Sequence, residues 1–334
     1  MSDFLNALVV FANYVLVPGI AYGSQIALGA LGVTLIFGVL RFANFAYGEL
    51  MAFGTMITIL ITWWMQSLGI SISPFPTALL ALPFGIAAAI TMCLATDRFV
   101  FRFYRVNKSA TIILVMASVG VMFVYSGLTR FVIGAGDERF ADGARFLVTA
   151  KEFQDLTGLT EGLAVRLPSV ITVFITLIVA VWLLWFLHRT RVGKAMRAFS
   201  DNEDLALLSG INPDRIVALT WIIAGSLAVI AGTLYGLDKS FRPFTYAQLL
   251  LPIFAATIVG GIGQPMGAIA GGYLVAFSEV TVTYAFKRVA EALGFEPEGL
   301  LQLLSVEYKF AVSFVILVAV LLLRPSGIVR GKVF

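Results

Sequence analysis

The segment Arg41-Phe-Ala-Asn44-Phe-Ala-Tyr47-Gly48-Glu49 places an amide, a phenol, a glycine and a carboxylate between two long apolar runs. The hydrocarbon interior of a bilayer contains no water, so polar side chains persist there only where they face protein or a cavity. The segment therefore predicts either a turn at a membrane face or part of the wall of a permeation path.

The composition of the 334-residue chain is that of a membrane protein, with 60% hydrophobic residues, 13% charged residues and a mean hydropathy of +0.95. Soluble domains carry about 25% charged residues. The basic residues cluster between apolar runs, which is typical of topology signals and does not indicate nucleic-acid binding. Cys93 is the single cysteine, so no intrachain disulfide forms, and the N-terminus lacks the basic region of a cleavable signal peptide.

Apolar runs predict an all-α, polytopic transmembrane helix bundle of about 8–10 spans, since one crossing needs about 20 residues. We expect residues 1–334 to form a single transmembrane domain. Segment 4–17 precedes Pro18 and is short, so it is either an interfacial helix or part of an additional crossing. The region around 260–265 is either a turn between spans or a re-entrant segment. The predicted spans are 20–40, 46–65, 76–95, 110–128, 168–187, 216–237, 249–262, 266–286 and a last run that ends at Leu323.

The positions of lysine and arginine predict the orientation of the chain, because short loops rich in these residues stay in the cytoplasm. Loops 97–108 and 188–215 and the tail after residue 323 are basic. They share the cytoplasmic side if nine spans are counted with the N-terminus outside. Segment 129–167, in which acidic residues outnumber basic ones, then lies on the extracytoplasmic side.

The loop 188–215 predicts a short capped helix on the cytoplasmic side. Ser200 and Glu203 have the spacing of a capping box, and Gly210 followed by Pro213 is a helix stop. The predicted helix, 201–209, either lies on lipid headgroups or docks into a cytosolic partner. The length of the loop favours docking, because two spans can be joined by far fewer residues.

Small residues recur every fourth position at 224, 228, 232 and 236 and again at 263, 267 and 271. Such stripes let membrane helices approach closely, and packing alone accounts for them. The sequence has no G-x-x-x-x-G-K-[ST] phosphate loop and no cluster of histidine, cysteine and carboxylate residues, so we expect no ATP, cofactor or metal bound by this chain. His188, the only histidine, sits at a predicted membrane boundary and fits an interfacial anchor better than a catalytic base.

Four blocks, at 22–32, 44–54, 193–212 and 257–272, resemble permease subunits of the branched-chain amino acid family of ABC importers, leucine/isoleucine/valine type. The resemblance covers nearly the whole chain and keeps the order of the blocks. Tyr47 stands where the family usually has histidine, and Thr55-Met56 where it has Ala-Tyr. Relatives of similar appearance serve urea, amides, other amino acids or aromatic acids, so these departures leave the solute open.

The resemblance implies several partners and no enzymatic activity on this chain. A second permease chain, a different one, would complete the path in the cell (inner) membrane. Two cytosolic ATP-binding subunits would hydrolyse ATP, and an extracytoplasmic solute-binding protein would deliver the solute. The residues expected to couple to the ATPase are Gly193, Arg197, Glu203, Asp204, Leu208, Gly210 and Asn212.

Paired glycine-interrupted segments in the two halves of a transporter point to its solute site. Glu49 has an alternative structural role, as an ion-pair partner of Arg41 or of another chain. A passive channel or secondary carrier for a small neutral solute is the main rival function, and a membrane-embedded enzyme is a third. The predicted path residues are Gln25, Asn44, Tyr47, Gly48, Glu49, Gly260, Gly261, Gly263 and Gln264.

Overall fold

The computed structural model describes residues 2–72, 74–140, 145–292, 309–323 and 327–329, and over these ranges the chain is helical with short turns. Two π-helical turns, Ala12–Leu16 and Asp97–Phe101, extend neighbouring α-helices. A small antiparallel pair is formed by β1 (Phe146–Val148) and β2 (Val165–Arg166). The α-helices are α1 Ser2–Phe11, α2 Val17–Leu40, α3 Tyr47–Ser67, α4 Ala78–Thr96, α5 Arg102–Val106, α6 Thr111–Ile133, α7 Ala150–Thr157, α8 Leu167–Arg189, α9 Arg191–Asp201, α10 Glu203–Leu208, α11 Pro213–Asp238, α12 Pro243–Gly260, α13 Pro265–Ala292 and α14 Lys309–Leu323.

Within the described residues, 8 helical stretches are long and apolar enough to cross a membrane. This confirms the predicted polytopic bundle. Phe310–Leu323 is apolar but shorter than the rest. The 8 stretches are Phe4–Leu40, Tyr47–Ser67, Ala78–Val106, Thr111–Ile133, Leu167–Arg189, Pro213–Asp238, Pro243–Gly260 and Pro265–Thr283.

The N-terminal helix is continuous with the first span, an arrangement that neither predicted alternative for segment 4–17 describes. Phe4–Leu40 has 37 residues, whereas a bilayer core about 30 Å thick needs only about 20. The surplus lies at one end of the bundle, where Asn6 and Asn13 accept hydrogen bonds from the backbone N–H groups of Glu161 (3.4 Å) and Ala164 (3.2 Å). The segment is therefore an extension of the first span and makes no crossing of its own.

Helix α2 lies in the centre of the bundle and packs against α8, α11, α12 and α13. It is buried along nearly its whole length and is apolar all round, as expected of a helix with protein on every side. Close approach depends on glycines: a Cβ added at Gly272 of α13 would stand 2.7 Å from the Ala27 Cα. Small residues thus determine how closely the central helices pack.

The first small-residue stripe packs as predicted, and the second does so only in part. Ala224, Ala228 and Gly232 are buried, and a Cβ at Gly232 would lie 3.0 Å from the Met51 carbonyl oxygen of α3. Gly267 faces α12, but Gly263 has a φ of +79° with open space beside it. Including Gly263 in the stripe was therefore wrong, because it occupies a left-handed turn position before α13.

The loops divide between two ends of the bundle. One end carries the α2–α3 turn, Arg102–Val106 and α9–α10, and we name it the basic end. There Arg102 pairs with Asp214 at 3.0 Å. At the opposite end Arg242 pairs with Asp137 at 3.0 Å, and Glu138 bridges to Phe241. The two basic loops thus share one end, as predicted. The predicted basic tail, at residues 324 and 330–332, lies outside the described residues.

Helix α12 runs from one end of the bundle to the other. It begins next to Arg242 at the opposite end, and it ends where the Ile328 N–H donates to the Val259 carbonyl at 2.8 Å, beside the basic end. The segment is therefore a crossing followed by a turn, and the re-entrant alternative does not describe it.

The opposite end carries ordered elements that the sequence analysis did not anticipate. Thr149 and Glu152 form a capping box at the start of α7, with hydrogen bonds of 2.9 and 3.3 Å. The Thr149 backbone N–H and hydroxyl hold the pKa of the Glu152 carboxyl below its usual value. The segment 129–167 is thus a folded cap in the part that the structure describes.

Candidate translocation and coupling sites

Tyr47 lies at the junction of three helices. Its phenol is fully buried and donates to the Ala224 carbonyl of α11 at 3.4 Å. A Cβ added at Gly32 of α2 would overlap the phenol oxygen. The predicted path residue therefore packs α3 against α2 and α11, and its hydroxyl bonds across this junction.

Asn44 lies in the turn that precedes helix α3. Its side-chain oxygen accepts the Ala46 backbone N–H at 3.0 Å, and the residue is buried. This is an Asx turn, in which a short polar side chain satisfies the backbone two residues on. Its amide is thus engaged locally in part, a role that the sequence analysis did not consider.

Gly48 and Glu49 face different neighbours. A Cβ at Gly48 would lie 2.7 Å from the Tyr246 carbonyl oxygen, so this glycine lets α3 approach α12. The Glu49 carboxylate is 3% exposed and lies beside the Ser126 hydroxyl, within electrostatic reach of Arg130 on α6. Its Oε2 atom has no hydrogen-bond partner among the described residues.

Pairing of Glu49 with Arg41, one of its two predicted structural partners, is wrong. Arg41 ends α2 in a left-handed conformation (φ 59°) and is exposed. Glu49 sits within α3, where its side chain turns into the bundle toward α6. The turn between the two helices sends the two side chains in different directions.

Gln25 is a buried amide that faces α11. Its Nε2 donates to the Leu234 carbonyl at 3.5 Å, while its Oε1 has no hydrogen-bond partner among the described residues. A buried acceptor without a donor is unfavourable by about 1–3 kcal/mol. Gln25 can therefore offer an acceptor to a polar solute that reaches it.

The second predicted path segment lies at the basic end. Gly260 packs against Gly267, and Gly261 has a φ of +105° and contacts Gly327. Gly263 and Gln264 line a cavity of about 230 Å³ between the α12–α13 turn, α2, α8 and α9. The predicted path residues thus occupy separate places: Gln25 against α11, Tyr47 and Glu49 within the bundle, and Gly263 and Gln264 at the basic end.

The predicted capping box in loop 188–215 is wrong. Helix α9 continues through Ser200, whose hydroxyl donates to the Gly38 carbonyl of α2 at 2.6 Å. Asn202 is extended (φ −151°) and caps α10 by accepting the Leu205 N–H at 3.1 Å. The predicted helix 201–209 is thus present as the shorter α10, Glu203–Leu208, with Asn202 as its cap. Ser200 cannot cap it because its backbone is still part of α9.

Helix α9 is held firmly and α10 projects from it. Met196 and Phe199 of α9 are buried, and Gly193 sits directly against the Phe186 carbonyl. On α10, by contrast, the side chains of Leu205, Leu207 and Leu208 are 61%, 43% and 86% exposed. We name these three residues the leucine tip.

The predicted coupling residues divide by position. Gly210 (φ 80°) ends α10, and Asn212 caps α11 by accepting the Arg215 N–H at 3.3 Å. Glu203, Asp204 and Leu208 belong to α10, whereas Arg197 lines the cavity at the basic end.

Glu279 is a membrane-buried carboxyl that the sequence analysis missed. It lies on α13 at 1% exposure, hydrogen-bonds the Ser313 hydroxyl of α14, and interacts with Tyr22 of α2. The signal was present in the sequence, since a lone glutamate within the apolar run 274–282 is costly in lipid and indicates an inward-facing polar site. Three helices thus meet at one carboxyl.

A family model described as the permease component of branched-chain amino acid transport systems matches residues 15–321. The chain belongs to this family. The permease is 30% identical over 315 residues to LivH of Salmonella typhimurium, a high-affinity branched-chain amino acid transport system permease, with 93% of this chain and 92% of LivH covered. It is 29% identical to BraD of Pseudomonas aeruginosa, another such permease, with 94% of each covered.

Among solved structures, PsaBC from Streptococcus pneumoniae in complex with Fab is similar to the permease at a TM-score of 0.46 and 12% identity, covering 92% of this chain and 91% of that one. Family membership and the apolar helices together make the permease a multi-pass membrane protein with a transport role.

Proposed function

We propose that the permease is a membrane subunit of an ABC importer for branched-chain or related amino acids, or for a small polar solute of the urea or amide type. It forms the translocation path with a second, different permease chain. Two cytosolic subunits bind and hydrolyse ATP, and an extracytoplasmic binding protein delivers the solute. The observation that carries the proposal is the leucine tip on α10, held out by helix α9, which is anchored to the bundle through its buried residues Met196 and Phe199.

The leucine tip supports docking because it combines apolar exposure with a rigid base. Three leucines on one short helix are unfavourable in water and have no role in a loop that only joins two spans. Glu203 and Asp204 precede them in the first turn and suit basic groups at the rim of a partner cleft. On this proposal loop 188–215 is cytoplasmic and segment 129–167 faces the binding protein.

A cysteine at Leu208 tests the docking. The native Cys93 is buried, so a thiol reagent reaches the new residue first. In the assembled importer, Leu208→Cys is expected to cross-link to an ATP-binding subunit, and Leu156→Cys, at the opposite end and 84% exposed, is not. Cross-linking through residue 156 with none through residue 208 would invert the proposed orientation and refute the docking.

The hydroxyl of Ser200 supports a mechanical route from the docked loop to the path, because it joins α9 to the end of the central helix α2. Ser200→Ala is expected to lower uptake severalfold at the same rate of ATP hydrolysis, since one hydrogen bond is worth about 1 kcal/mol. Ser209→Ala is the matched control, because its hydroxyl donates to the Leu205 carbonyl within the same loop and not to α2. Equal uptake by the two variants in proteoliposomes would remove Ser200 from the route.

The amide of Asn44 and the phenol of Tyr47 are proposed to border the path. Tyr47→Phe keeps the buried ring and removes only the hydroxyl, so its protein level is expected to stay normal while the uptake KM rises. Asn44→Ala is expected to destabilise the turn before α3 by about 1 kcal/mol, because it removes the hydrogen bond from the Ala46 N–H. Uptake kinetics and thermal unfolding separate the two effects. An unchanged KM in Tyr47→Phe would leave Tyr47 a packing residue only.

A further inference from the structure

The cavity at the basic end has the lining of a small-metabolite site. Its volume of about 230 Å³ lies below the roughly 300–1,000 Å³ of sites for drug-sized ligands. It opens between α2, α8, α9 and the α12–α13 turn. It therefore borders both loop 188–215, which contains α9, and the central helix α2. A molecule bound there would contact α9 and α2, the two helices that the proposed route from the docked loop to the path connects.

One wall carries opposite charges at a fixed spacing. Arg197 and Asp201 both line the cavity and are four residues apart on α9. Side chains at that spacing lie on one helix face with Cβ atoms about 5–6 Å apart. A guanidinium matches a carboxylate in shape, and a carboxylate accepts from an ammonium group. The pair therefore suits the two charged groups that an α-amino acid carries on neighbouring atoms.

The other walls, apart from the polar residues Ser200 and Gln264, are apolar with one unsatisfied hydroxyl. Leu35, Val39, Leu187 and Met196 supply hydrocarbon surface. Thr34 is 1% exposed, and its hydroxyl has no hydrogen-bond partner among the described residues. Such a hydroxyl can bond a ligand carboxylate at the inner edge of the cavity.

His188 adds a donor or acceptor at the rim. Its Nδ1 lies 2.8 Å from the Leu184 carbonyl, which assigns the ring proton to that nitrogen and leaves Nε2 for a ligand.

We propose that this cavity binds a zwitterionic amino acid with an apolar side chain from the cytoplasmic side, with Arg197 on its carboxylate and Asp201 on its ammonium group. The inference rests on the proposed function for the orientation and for the class of solute. A molecule held between α9 and the α12–α13 turn resists their separation, so accumulated solute slows its own import.

Binding to the purified permease pair in nanodiscs, without ATPase subunits or binding protein, tests the inference separately from transport. Radiolabelled L-leucine is expected to bind saturably. Its des-amino analogue 4-methylpentanoate and its decarboxylated analogue isoamylamine are expected to bind at least about tenfold more weakly, a difference of about 1.4 kcal/mol for each lost charge pair. Arg197→Gln and Thr34→Val are expected to weaken leucine binding.

Arg189→Gln serves as the control, because Arg189 is an exposed arginine at the end of α8 and does not line the cavity. Leucine binding that is absent at millimolar concentration, or equal in the Arg197→Gln and Arg189→Gln proteins, would overturn the assignment. Failure of the proposed function has a different signature, namely loss of ATP-driven uptake or of the cross-link at residue 208 with this binding intact.

Discussion

Replacing Leu208 by aspartate is expected to abolish ATP-driven uptake while the amount of folded permease in the membrane stays unchanged. The side chain is 86% exposed, so the permease itself loses no packing. In the proposed complex the leucine lies in an apolar cleft, where burial of the side chain contributes about 1.5–3 kcal/mol. Burial of an unpaired carboxylate there costs several kcal/mol more, so affinity for the ATP-binding subunit falls at least about a hundredfold.

Co-purification of the ATP-binding subunit with tagged permease measures this effect, and Leu156→Asp is the matched control. Leu156 is 84% exposed on α7 at the opposite end, so its substitution has the same chemistry with no place in the proposed interface. We expect the subunit to be lost from Leu208→Asp and retained by Leu156→Asp. Retention by both proteins, with normal uptake by Leu208→Asp, would show that the leucine tip docks to nothing essential.

Gly260→Ala is expected to prevent stable folding. The single added methyl group would overlap the Gly267 carbonyl oxygen, a backbone atom that cannot move aside as a side chain could. Relief requires α12 and α13 to separate along their contact, and overpacking of this kind costs about 1–3 kcal/mol or more. Close backbone approach is also what holds membrane helices together, so the loss extends beyond one residue.

Gly120→Ala on α6 provides the control, because a Cβ there meets nothing within 4 Å. It is expected to be neutral or stabilising by about 0.5–1 kcal/mol, since glycine is unfavourable within a helix. Thermal unfolding of the detergent-solubilised proteins, followed by size-exclusion chromatography, compares the two. A Gly260→Ala protein that melts together with Gly120→Ala would contradict the close α12–α13 contact.

The spans and their grouping into two ends were predictable because each rests on a one-dimensional signal. Apolar run length gave the crossings, and the positions of lysine and arginine gave the shared basic end. The close packing of the stripe that contains Gly232 followed from spacing, whereas its contact with α3 is seen only in the structure. In each case a local pattern is sufficient, because lipid imposes the same requirement on every helix.

Features that depend on a distant partner were not predictable. Ser200 has the spacing of a helix cap, but a carbonyl at Gly38, 162 positions away, takes its hydroxyl. Asn44 also has a local role, since its side-chain oxygen accepts the Ala46 N–H, and the sequence alone did not reveal that contact. The partners of Glu279, on α2 and α14, are brought together only by the fold.

Solute flux in proteoliposomes tests the central claim most directly. Vesicles that contain the permease pair alone are compared with vesicles that also hold the ATP-binding subunits, with binding protein outside and ATP inside. We expect accumulation of branched-chain amino acid against a gradient only in the complete system with ATP, and none when Leu208→Asp replaces the native permease. Rapid equilibration of the solute through the permease pair alone, independent of ATP, would contradict the account and identify the protein as a passive pore.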